Sequence, residues 1–248
     1  MPKAEADFLL IDISNSFTKM AFSTGKRIGR VTRIATPRLT ARSLARAIGG
    51  RSFKTAVLSS VVPESEKIAV RHLAKKRVLR VGPDLNLGVG IEYPHPQSIG
   101  ADRLANAASA VAACGAPVIV VDFGTAVTFD IISRRARYVG GVIAPGLEVM
   151  TDYLYHRTAL LPKIDLLEPV RAIGKSTRGA MLAGTVYGYR GLVRQILAEI
   201  KSEMGPPAAR VIATGGYAKL IAARLPEIEE VHPNLTLEGL RIIGTLNE

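Results

Sequence analysis

The sequence predicts an α/β protein made of two similar halves, and three observations carry that prediction. Short apolar runs alternate with helical patterns along the whole chain. Two segments, LLIDISNSFTKMAF and VIVVDFGTAVTFDI, share one pattern when aligned on Asp12 and Asp122. Finally, 248 residues with 48% hydrophobic side chains can bury substantial cores without disulfides or metals.

The elements follow in order. Phe8 to Asp12 reads as a buried strand closed by the polar turn Ser14-Asn15-Ser16, and Thr18 to Ser23 returns as the second strand of a hairpin. Leu39 to Ile48 reads as a helix. Thr55 to Val62 is a strand stopped by Pro63, and Glu64 to Lys76 is helical. Pro83 to Pro96 is rich in Gly and Pro and reads as a loop region. Ala101 to Cys114 is an Ala-rich helix opening at Gly100. Pro117 to Asp122 is the next strand, turning at Gly124-Thr125-Ala126 and returning through Val127 to Ser133. Tyr138 to Ile143 is a short strand ending at Pro145-Gly146. Helical patterns follow at Glu148 to Tyr155 and Thr177 to Lys201. Val211 to Thr214 is a strand that breaks at Gly215-Gly216, and Ala218 to Leu225 resumes as helix.

The two related segments agree beyond their acids. Each has a small residue two positions on, Ser14 or Gly124, and a hydroxyl-bearing residue six positions on, Thr18 or Thr128. The pattern reads as an ancient duplication.

Charge is uneven. Residues 1–80 hold 17 Lys and Arg against 5 Asp and Glu, which accounts for the whole net charge of +12. Arg38, Arg42 and Arg46 stand four apart, so they form one stripe of the predicted helix. A solvated basic face and a surface for polyanions both fit. The chain has no Trp and few aromatic residues, which argues against nucleic acid as a partner. Cys114 is the only cysteine, so a disulfide framework is excluded and a reducing cytoplasm is expected. Met1 to Asp7 carries two acids and no apolar run, unlike a signal peptide. The most apolar stretch, Ala116 to Val121, is far shorter than the ~20 residues that span a bilayer, so a soluble protein is expected.

A strand ending in Asp that turns through small residues suits phosphate handling, because small residues let backbone N–H groups approach phosphate oxygens. The carboxylate itself would repel those oxygens, so it reads better as a ligand to Mg²⁺ or its waters. Either aspartate alone also reads as a strand-end turn former. Ala172 to Ser176 mimics the end of a P-loop, but Pro169 stands where that loop needs its first glycine. No G-x-G-x-x-G follows a strand, which excludes a dinucleotide fold. In Gly100-Ala101-Asp102-Arg103, an Asp at a helix start stays ionised by the helix dipole and can accept a hydroxyl proton. Arg103 can hold a carboxylate through two parallel bonds. An ordinary helix-start acid beside a surface Arg is the alternative. Val211 to Gly216 ends a strand in paired glycines, which lets a flat adenine or ribose lie against the backbone.

Together these motifs resemble type III pantothenate kinases, within the acetate kinase/Hsp70/actin-like superfamily. The resemblance covers nearly the whole chain. It runs through the Asp12 turn, SSVVP at Ser59 to Pro63, VGP at Val81 to Pro83 and GADR at Gly100 to Arg103. It continues through VVDFGTAVTFD at Val120 to Asp130, GGVIAPGL at Gly140 to Leu147 and GKST at Gly174 to Thr177. YGY at Tyr187 to Tyr189, ATGG at Ala213 to Gly216 and LTLEGLR at Leu235 to Arg241 complete it. It implies duplicated actin-like (ribonuclease H-like) lobes with mixed sheets flanked by helices, spanning residues 1–114 and 115–248. It also implies transfer of the γ-phosphoryl group of ATP to pantothenate, the first step toward coenzyme A, by a homodimer that uses Mg²⁺ and K⁺ or NH₄⁺. A non-enzymatic regulator on the same scaffold is the alternative.

Carried over by position, Asp102 is expected to be the base. Tyr93, Gly100, Ala101, Arg103 and Thr177 are expected to contact pantothenate. Asp12, Ile13, Ser14, Asn15, Ser16, Phe17, Thr18 and Lys19 form the first phosphate turn, and Thr125, Gly215 and Gly216 meet ATP. Asp122 is expected to bind the monovalent cation, and Asp12 the Mg²⁺ through water. One residue departs from the family turn: Ser14 stands where glycine is usual. A positive φ there would cost a serine on the order of 1 kcal/mol or more.

Overall fold

The computed structural model describes residues 5–248, so the expectation of no signal peptide falls partly outside the described residues, at Met1–Ala4. The chain divides into two compact units. The first contains the residues up to Gly115 together with Ala136–Gly140 and Asn234–Glu248; the second contains Ala116–Arg135 and Gly141–Pro233.

The first unit is built on the strands β1 (Ala6–Ile13), β2 (Phe17–Ser23), β3 (Thr32–Ala35), β4 (Phe53–Ser60) and β5 (Arg77–Arg80), in the spatial order β3-β2-β1-β4-β5. β1 and β2 form the expected antiparallel hairpin, and β4 runs parallel to β1. On one face Leu9, Ile11, Ile13, Ala56 and Leu58 pack with Leu44 and Ile48 of α1 (Ala41–Ile48) and Ala69 of α2 (Pro63–His72). Thr40 caps α1 in a reciprocal capping box with Ser43, so the helix starts two residues later than its apolar pattern. Pro63, read as a strand stop, also opens α2, since a first-turn residue has no helical partner for its missing N–H. The region read as loop contains β6 (Gly90–Ile91), paired in parallel with Arg137–Tyr138. α3 (Ala101–Cys114) begins and ends where the sequence places it.

The second unit repeats the plan. Its strands are β7 (Val118–Phe123), β8 (Ala126–Ile132), β9 (Arg137–Pro145, whose first residues belong to the first unit), β10 (Arg210–Gly215) and β11 (Glu230–Val231). Their order is β11-β10-β7-β8-β9, with β6 added beyond β9, β8 antiparallel to β7, and β10 and β11 parallel. These five strands match the first sheet strand for strand, and β6 has no counterpart there. The helices are α4 (Leu147–Arg157), α5 (Thr177–Met204) and α6 (Ala218–Ala222). Ile119, Val121 and Phe123 of β7 pack with Tyr189, Val193 and Leu197 of α5. The last helix, α7 (Leu235–Leu246), returns to the first unit. A Cβ at Gly239 would lie 1.9 Å from the Ala105 carbonyl oxygen, so α7 and α3 meet backbone to backbone. The fold is α/β with mixed sheets flanked by helices.

Candidate active site

In the first unit, β1 delivers Asp12 to the carboxyl end of the sheet, where it is buried. Register places Lys19 of β2 on one side of Asp12 and Ser59 of β4 on the other. Residues in register share a face of the sheet, so a cation, a carboxylate and a hydroxyl stand in a row across three strands. The hairpin closes through Ser14 N–H donating to Phe17 O at 3.2 Å, which leaves Asn15 and Ser16 exposed at the tip. Ser14 is unstrained: among the described residues only Ala136 combines a side chain with a positive φ. The Ser14 hydroxyl instead donates toward both Asp12 carboxylate oxygens, at 3.3 and 3.4 Å. Ile13 and Thr18 point away from that row. Thr18 is fully buried and hydrogen-bonds the Thr36 hydroxyl at 3.0 Å.

Asp102 sits in the first turn of α3 and is half-buried. Its Oδ1 accepts the Arg103 backbone N–H at 2.8 Å. Burial pushes its carboxyl above the usual aspartate range, against the opposing pull of the Arg103 N–H and charge. A Cβ at Gly100 would lie 2.5 Å from that same oxygen, so the glycine makes room for the carboxylate. The Arg103 guanidinium lies 5.7 Å from the Tyr138 ring centroid, and Tyr138 meets Tyr93 edge-on at 6.2 Å. Tyr93, Gly100, Ala101, Asp102 and Arg103 thus lie close together, in the same unit as Asp12. Tyr138, the buried ring between Tyr93 and Arg103, carried no sequence signal beyond its place in a strand.

In the second unit, Asp122 occupies the equivalent strand end, with Thr128 and Thr214 in register on its two sides. The turn here is one residue tighter, closed by Gly124 N–H to Ala126 O at 3.1 Å. The equivalence of Thr18 and Thr128 therefore fails. Asp12 pairs with the seventh residue after it and Asp122 with the sixth, and one step of register turns a side chain to the opposite face. Glycines shape this turn. Gly215, at φ +96°, would place a Cβ 2.5 Å from the Phe123 backbone and 2.6 Å from Asp122 Oδ1. A Cβ at Gly146 would fall 2.2 Å from the Thr125 carbonyl oxygen. Beyond the exposed Gly216, Tyr217 donates its hydroxyl to Glu148 of α4 in a short bond. Burial and that carboxylate push the phenol up. Thr177 is exposed at the start of α5, next to the cap Ser176, whose hydroxyl oxygen accepts Gly179 N–H at 3.1 Å. GKST is thus a helix cap, with Gly174 packed against Ala180.

Among the described residues no three His, Cys, Asp or Glu side chains converge as a metal cage. Single hard carboxylates at phosphate turns still fit hydrated cations, whose remaining ligands are water and phosphate oxygens. The space that a Cβ at Gly215 would fill beside Asp122 fits the same reading.

Comparison with known proteins agrees with this layout. The chain is 49% identical over 241 residues to a type III pantothenate kinase of Akkermansia muciniphila, covering 97% of this chain and 99% of that one. It is 38% identical over 239 residues to a type III pantothenate kinase of Methylacidiphilum infernorum, covering 96% and 88%. Among solved structures, a Campylobacter jejuni protein assigned to the Baf family of transcriptional activators superposes with a TM-score of 0.62 over 95% of this chain and 96% of that one. At 19% identity it shares the fold alone. The family profile described as type III pantothenate kinase matches residues 8–199. With the strand-end aspartates, the GADR helix start and the duplicated sheets in place, the chain belongs to the type III pantothenate kinase family.

Proposed function

We propose that this protein transfers the γ-phosphoryl group of ATP to the terminal hydroxyl of pantothenate, giving 4′-phosphopantothenate for coenzyme A synthesis. Near-full-length identity to the Akkermansia enzyme carries this reading. Asp102 takes the hydroxyl proton: its raised pKa brings the carboxylate closer to the operating pH, where a general base works best. Arg103, steered by Tyr138, holds the pantothenate carboxylate, Tyr93, Gly100 and Ala101 complete the first unit's part, and Thr177 is the second unit's pantothenate contact. The Asp12–Lys19 turn receives phosphate oxygens, with Lys19 supplying positive charge. Thr125, Gly215 and Gly216 meet the nucleotide. Asp12 would hold Mg²⁺ through water, and Asp122 a monovalent cation, K⁺ or NH₄⁺; bound, these ions neutralise phosphate charge.

A homodimer fits the surface, and the lone cysteine fits a reducing cytoplasm. Tyr153, Leu160, Leu167, Val170 and Ile173, from α4 and the segment before α5, are at least 62% exposed, and exposed apolar side chains of this kind suit a protein interface. No helix among the described residues is long and apolar enough to cross a membrane.

A coupled ADP-release assay with ATP, pantothenate, Mg²⁺ and K⁺ tests the activity. Folded wild-type protein with no pantothenate-dependent turnover would refute it. Sedimentation equilibrium tests the dimer.

A further inference from the structure

Thr36, the first residue of the 3₁₀ turn Thr36–Arg38, is buried at 4% exposure, and three hydrogen bonds converge on it. Its N–H donates to Ser16 O at 3.0 Å. Its hydroxyl donates to Ser14 O at 2.7 Å. A hydroxyl carries one proton. With that proton given to Ser14, Thr18 must be the donor in the 3.0 Å bond between the two hydroxyls. Thr18, fully buried, therefore directs its proton inward, not toward a ligand.

The consequence falls on the exposed tip of the turn. Besides Thr36, the hairpin bond from Ser14 N–H to Phe17 O ties its backbone. Thr36 adds one bond to each carbonyl flanking Asn15 and Ser16. In a trans peptide the C=O and the following N–H point in opposite directions. Drawing Ser14 O toward Thr36 thus turns the Asn15 N–H the other way, and the bond to Ser16 O does the same for the Phe17 N–H.

We propose that Thr36 is a positioning residue for nucleotide binding: from the 3₁₀ turn that follows β3 it fixes the peptide planes of the first phosphate turn, so that N–H groups are held ready for phosphate oxygens. This inference rests on reading Asp12–Lys19 as a phosphate turn.

Calorimetric titration of wild type, Thr36→Val, Thr36→Ser and Thr36→Ala with MgATP, and separately with pantothenate, tests it. Thr36→Val leaves the Ser14 carbonyl without its buried donor, so MgATP affinity is expected to fall about tenfold. Pantothenate affinity should stay unchanged, and Thr36→Ser should remain near wild type. Thr36→Ala makes the same test if the valine variant does not fold. A merely structural threonine would lower the melting temperature without this selectivity. Hydroxyl-free variants that bind MgATP as wild type does would overturn the inference alone. Equal weakening by Thr36→Ser would overturn it as well. Wild type that binds pantothenate but no MgATP would remove the reading of the turn, and this inference with it.

Discussion

At the scale of single residues, two positions invite direct tests. Asp102→Asn keeps an oxygen that can accept the Arg103 N–H but cannot take a proton. Turnover should fall roughly 10²–10⁴-fold while ATP affinity holds. Because burial raises the folded-state pKa of Asp102, its charge opposes folding. Its unfavourable contribution grows as pH rises from the ordinary aspartate range through the raised pKa. The asparagine variant should therefore melt at a higher temperature than wild type at neutral pH, and the gap should close in acid. The acid limb of the wild-type rate profile should likewise lie above that of an ordinary aspartate. Gly215→Ala forces a Cβ onto the Phe123 backbone at φ +96°. It should cost about 2–3 kcal/mol in urea unfolding and disturb Asp122. Asp12, Asp102 and Asp122 were legible because each ends an apolar run or opens a helix. Thr36 was not: before Pro37 it looks like any loop threonine, and its partners lie 18 to 22 positions away.

At the scale of elements, the segment between α4 and α5 has no regular structure and is tied down by charge. Arg190 of α5, buried at 4%, grips Glu168 through two bonds of 3.0 and 2.6 Å, while Leu220 and Ile221 carbonyls accept its other N–H groups. The guanidinium holds the Glu168 carboxyl below its usual range. Glu168→Ala leaves that cation buried and short of its anion, and should cost about 3 kcal/mol, read as a lower urea midpoint. Strands with strong apolar runs and the Ala-rich helix were readable, because burial writes their period into the sequence. β3 and β5 were not, being four-residue strands with exposed ends. α7 also escaped: LTLEGLRIIGTL is buried on several sides, so no polar stripe marks it as a helix. The one-residue difference between the two turns was hidden too, since aligned motifs do not show where a ladder resumes pairing.

At the scale of the molecule, the duplication visible in two short segments extends to five strands of each sheet, with β6 outside it. Charge does not follow that symmetry. Residues 13–63 carry ten Lys and Arg and no carboxylate, so the first unit presents a positive field near the Asp12–Lys19 turn. Fields of this kind attract anions and are screened by salt. The KM for ATP should therefore rise with ionic strength when tetramethylammonium chloride is added at constant K⁺. An unchanged KM would mean that the basic face plays no part in capture. The return of α7 to the first unit has a consequence for biosynthesis. α3 leaves the ribosome about 120 residues ahead of the helix that covers it. At roughly 5–20 residues per second, the Ala-rich face around Ala105 waits several seconds uncovered while most of the second unit emerges and can fold. The unit that begins first is the one finished last, and through that interval the face of α3 that α7 will cover is open to other chains.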